Sequence, residues 1–242
     1  MNFFDKVDDK RAQNGIGAQL NVWDDTLRKY KLYMPLESVP AVVGSTDTVE
    51  VDLLTSSMKT KIRGKSSVED KDVEFLWHRD NLAILRETKG KKLKFLVSYP
   101  DFTGWKFEGE IVYRPNDATS DKLTGTFTII ANAVDEYETE DVRDMLAKTC
   151  FITSTVPSIL EIGSTGQRVD LVATDSEATF TAESSSTNIT AQVTAKSGTT
   201  PAFVTISKGN SATVGQTGIV TITASATGMA SWKTTIAVEV TA

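Results

Sequence analysis

Reactive side chains are scarce in this sequence. One cysteine, Cys150, leaves no intramolecular disulfide framework and no multi-thiolate metal site. One histidine, His78, removes the multi-histidine zinc sites as well. No apolar run approaches the roughly 18 residues that span a bilayer, so no membrane insertion is expected. The start, MNFFDKVDDKR, lacks the basic-then-apolar profile of a signal peptide. The expectation is a chain made and kept in the cytoplasm until it assembles with something. Basic residues are in deficit, 26 Lys+Arg against 32 Asp+Glu, a formal charge of −6. That balance disfavours gripping the outside of a DNA duplex, where affinity comes from cations neutralising phosphates.

What is present fits a globular chain of 242 residues, 40% apolar and 24% charged. Composition changes sharply near residue 155. Residues 1–154 hold 22 basic and 26 acidic residues, and residues 155–242 hold 4 and 6. Only Phe180, Phe203 and Trp232 of the aromatic residues follow the break, among 30 Ser or Thr. The two shifts together predict one domain over 1–154 and another over 155–242, joined near Thr153–Pro157.

The first domain alternates with a period of two. Leu20 and Val22, Val49 and Val51, Val73 and Phe75, Phe95 and Val97, Phe107 and Ile111, Phe127 and Ile129 each share a parity. Such alternation predicts antiparallel strands with one buried face. Asp80 as a cap, Leu82 and Leu85 as an apolar stripe and Gly90 as a stop predict a short helix. A second short helix is expected over Glu140–Lys148, with acidic residues early and Lys148 late. Leu54–Asp70 has no period and reads as a long excursion between strands, a feature that tends to be functional. Residues 155–242 contain about seven short alternating runs punctuated by glycine, the pattern of an immunoglobulin-like sandwich.

Catalytic signatures are nearly absent. His78 beside a helix cap is better read as a surface imidazole than as a general base. Cys150 in Lys148-Thr149-Cys150-Phe151 reads as a small buried side chain. The sequence has no GxSxG, no phosphate-binding glycine loop and no HExxH. The acidic run Asp135–Asp141 lacks the spacing and central glycine of a calcium loop. No catalytic, metal or cofactor site is expected. The remaining signal is charge pattern: Asp72 and Glu74 lie opposite the apolar parity of their strand, and Glu108 and Glu110 do the same. An exposed polar sheet face explains them, and so does a wall that repels a polyanion.

The order of elements adds a resemblance. Asp47–Thr55, Ile62-Arg63-Gly64 and Asp72–Phe75, followed by the Asp80–Lys89 helix and the later strands, resemble the tail tube proteins of long-tailed bacteriophages. The loop Pro115-Asn116-Asp117-Ala118 is also similar to that family. Residues 157–242 resemble the bacterial immunoglobulin-like modules appended to several such proteins. The likeness covers roughly residues 14–134 and leaves Asp135–Phe151 unplaced. It implies a mainly β chain: a tail-tube-type antiparallel β-sandwich or barrel with one or two short helices, then an immunoglobulin-like sandwich.

The resemblance further implies hexameric rings stacked into a virion tail tube, neighbouring sheets closing edge to edge into a barrel. Partners would be copies of the chain, other tail proteins, double-stranded DNA passing without specific binding, and the host surface through the outer sandwich. Asp72, Glu74, Glu108 and Glu110 are the lumen candidates, and Lys59, Lys61, Ile62 and Arg63 the inter-subunit loop candidates. The competing expectation is a cell-surface or carbohydrate-binding adhesin, with the sandwich as its recognition domain.

Overall fold

The computed structural model describes residues 17–42, 45–51, 60–67, 69–117, 123–131 and 137–242. The protein is mainly β, built of mostly antiparallel sheets with one α-helix among the described residues. It divides into two compact units, 1–146 and 147–242.

In the first unit, β1 (Gln19–Asp24) and β2 (Lys29–Leu32) form a hairpin. Its turn is organised by Asp24, whose carboxylate accepts the N–H groups of Thr26 and Leu27 and the Lys31 ammonium at 2.8 Å. Next come β3 (Ser45–Val51) and β4 (Thr60–Ser67), then β5 (Lys71–Leu76) and α1 (Arg79–Thr88). β6 (Lys92–Ser98), β7 (Gly104–Pro115), β8 (Thr124–Ala131) and the short β9 (Tyr137–Thr139) follow. Strands pair in the order β2-β1-β6-β7-β8-β5, with β9 also on β7.

Burial follows the alternation. Leu20, Val22, Val73, Phe75, Phe95, Val97, Phe107, Ile111, Phe127 and Ile129 form one core with Leu85 of α1 and Tyr33, Met34 and Val42. Tyr33 stands edge-on to both Phe95 and Phe127, with centroids 5.9 Å away. Its hydroxyl lies 2.7 Å from Thr88 Oγ1, tying this segment to the end of α1. A Cβ on Gly125 would sit 2.5 Å from the Trp77 ring and 2.7 Å from Phe75, so only glycine lets those stacked rings lie against β8.

Three expectations are corrected in this unit. The N-cap of α1 is His78, whose Nδ1 accepts the Asp80 N–H at 3.3 Å, rather than Asp80 itself. Glu140–Lys148 is not a helix: only Arg143–Met145 makes a 3₁₀ turn. There the Val142 N–H is taken by Phe102 O at 3.0 Å, and Leu146 bridges to Tyr30, so pairing across the chain replaces helical bonds. Within the Leu54–Asp70 excursion, Thr60–Ser67 is a strand whose order comes from β3, with Val49 opposite Ile62 and Glu50 opposite Lys61.

The second unit begins at Ala147, earlier than the composition break. The reason is pairing: β10 (Thr149–Cys150) runs parallel to β17 (Ala230–Val240), Ile152 bridges to Ala173, and the Thr153 N–H donates to Val172 O. Its other strands are β11 (Ile159–Ile162), β12 (Gln167–Leu171), β13 (Thr179–Ser184), β14 (Ile189–Thr194), β15 (Ala202–Lys208) and β16 (Thr217–Ser225). One sheet runs β13-β16-β17, with β10 and β11 both on the far side of β17; the other runs β12-β15-β14. The β12-β15-β14 and β13-β16-β17 orders are those of the B-E-D and C-F-G sheets of an immunoglobulin-like sandwich, with the first strands joining β17 rather than β12. Val169, Leu171, Val204, Ile206, Val220, Ile222, Ile236 and Val238 fill the space between the sheets.

Candidate assembly surface

The outer face of the seven-stranded sheet holds all four lumen candidates, and it divides in two. The half over β2, β1 and β6 is covered by residues 142–146. There Val142, Met145 and Leu146 pack on Tyr30, Leu96, Trp23 and Phe102. Beneath them the buried Asn21 amide donates to Leu96 O and Ser98 Oγ at 3.2 and 2.9 Å. The half over β7, β8 and β5 is open among the described residues, with Asp72, Glu74, Leu76, Glu110, Val112 and Ile130 all exposed.

Asp72 and Glu74 are exposed on β5, opposite Thr128 and Thr126 of β8. The Thr128 hydroxyl donates to the Asp72 carboxylate. Glu110 is exposed on β7, between Ile130 and Lys92 in register. Glu108 differs: its carboxylate lies 3.2 Å from the Lys92 ammonium and 3.9 Å from that of Lys94. The pairing register also puts Lys106 and Arg114 on this face, so its four carboxylates share it with four cations. They are not evenly mixed, because Lys92, Lys94 and Lys106 gather around Glu108 while Asp72 and Glu74 occupy the β5 edge. Leu76, Val112 and Ile130 on the open half are 46, 45 and 44% exposed. A small apolar pocket of about 150 Å³ opens beside β5, lined by Pro35, Leu36, Phe75 and Leu76 among others.

The inter-subunit candidates fall on the hairpin. Lys61, Ile62 and Arg63 lie in β4, in register with Glu50, Val49 and Thr48; Lys59 lies outside the described residues. Among the described residues, β3 and β4 pair only with each other and form a sheet of their own.

His78 caps α1, and Cys150 is fully buried, where burial pushes its thiol pKa up. Among the described residues no group of three His, Cys, Asp or Glu side chains is placed to hold a metal, and no helix is long and apolar enough to cross a membrane. Sequence reasoning missed the cations facing Glu108, since Lys92 and Lys94 meet it only through the β6–β7 register. The even spacing of Lys92 and Lys94 against Glu108 and Glu110 was the available signal. No protein-family model and no curated protein matches this chain.

Proposed function

We propose that this chain is a structural virion protein, assembling with copies of itself into stacked hexameric rings that form the tube of a long-tailed phage. The observation that carries the reading is the β3–β4 hairpin, which pairs with no other strand among the described residues. Two strands alone are marginally stable in water. Such a hairpin gains most from packing on a neighbour, and its Lys61 and Arg63 suit the carboxylates of an acidic chain. The open half-face supplies the second support. Asp72, Glu74 and Glu110 would form negative rings in a closed tube, holding passing phosphates off the wall without binding them. Glu108, neutralised by Lys92, contributes little to that field.

The immunoglobulin-like unit is then an outward module within reach of the host surface. This reading involves no catalytic step and no cofactor. Sedimentation of the purified full chain over a concentration series tests it. Growth to species of six copies and then larger polymers supports the tube. A monomer at all concentrations that binds glycans would favour a surface adhesin instead.

A further inference from the structure

The sandwich has five strands at its sheet margins, and four carry a feature that discourages pairing with another chain. β10 has two residues and β11 has four, including Glu161. β12 carries Arg168 and Asp170, paired at 2.7 Å. β13 carries Glu183. Short length and charge are the usual means by which soluble sheets blunt their edges.

β14 has neither. Its six residues, Ile189-Thr190-Ala191-Gln192-Val193-Thr194, contain no charge, no proline and no glycine, and it pairs with β15 on one side only. Ile189, Thr190, Val193 and Thr194 are β-branched, which favours extended backbone. Ile189, Ala191 and Val193 face the core, while Thr190, Gln192 and Thr194 are exposed.

We propose that β14 pairs antiparallel with β14 of a second copy, joining two three-stranded sheets into one of six strands across a two-fold axis at Gln192. The occupant follows from charge. Two chains of formal charge −6 repel wherever carboxylates meet, and this margin brings none together. With the axis at Gln192, Thr190 lies opposite Thr194 of the other copy and Ala191 opposite its Val193, so both faces stay in register. Lys196 falls opposite Asn188 of the other copy, which keeps the nearest cations apart. The contact is isologous and closes on itself. It does not depend on the tail-tube reading, since it lies wholly within the second unit.

Cysteine crosslinking of the full chain tests the pairing whether or not larger assemblies form. Gln192→Cys under mild oxidation should give a disulfide-linked dimer as the main product, because residues directly opposite in an antiparallel pair bring their Cβ atoms within disulfide reach. Cys150, fully buried, should not contribute. Thr181→Cys on β13 should crosslink weakly. Adding Thr190→Lys and Thr194→Lys to Gln192→Cys sets like charges opposite each other twice and should slow crosslinking about fivefold. A Gln192→Cys chain that stays monomeric while its new thiol reacts freely with a thiol reagent would overturn the pairing. So would equal crosslinking of the Thr181→Cys chain, which signals random collision, or a rate indifferent to the two lysines.

Discussion

Glu108 and Lys92 meet across β6 and β7 with 3.2 Å between carboxylate and ammonium, and this contact separates Glu108 from the other three acidic candidates. Its charge is neutralised within the sheet face, whereas Asp72, Glu74 and Glu110 face outward on the open half. Replacing those three with Lys should leave folding and tail length intact but slow DNA ejection, most strongly at low salt. Glu108→Gln should leave ejection unchanged and lower stability by no more than about 1 kcal/mol, as for a partly exposed ion pair. Ejection assays on particles with normal tails make the comparison. Equal effects from both variants would end the distinction.

The hairpin gives a second prediction. Lys59→Ser, Lys61→Ser and Arg63→Ser together should raise the concentration needed for polymerisation, with thermal unfolding of the dispersed subunit unchanged. Surface ion pairs in general add little to stability within one chain, so a loss confined to assembly would identify these three side chains with the contact. Light scattering against protein concentration reads the shift.

Gly125 tests the packing under the open face. The Trp77 and Phe75 rings leave no room for a Cβ, and overpacking typically costs about 1–3 kcal/mol. Gly125→Ala should therefore lower the urea midpoint of the first unit by a corresponding amount. Its m-value should stay constant.

Asp24 gives the acid dependence. Burial pushes its carboxyl pKa up, but the Lys31 ammonium and the N–H groups of Leu27 and Thr26 outweigh that and hold it below the ordinary carboxylate value. A depressed pKa stabilises the fold fully above the unfolded value of about 3.9, and that contribution disappears as pH falls through the folded value. Asp24→Asn should thus cost about 1 kcal/mol at neutral pH. The gap to the native chain should shrink in acid, as denaturant titrations at several pH values would show.

The alternating core was legible because a period of two needs only one strand to be recognised. Leu20 and Val22, Phe95 and Val97, Phe127 and Ile129 all point inward as the parity predicts. Elements that owe their order to a distant partner were not legible. β4 holds Ile62 as its sole large apolar residue and is organised by β3. Residues 140–148 resemble a helix locally, yet Phe102 O takes the Val142 N–H and Leu146 bridges to Tyr30. The domain joint moved for the same reason: Thr149–Cys150 belongs to whichever sheet it pairs with, and that is β17. The parity of the four carboxylates was readable from the sequence. That Glu108 is neutralised was not, because Lys92 and Lys94 reach it only through strand register.

Electron microscopy of the purified full chain is the sharpest test of self-assembly into a tube. Rings with a central opening, stacking into tubes of constant diameter as concentration rises, are the expected result. Discrete particles of single-chain size at every concentration, with no ring in any field, would contradict it.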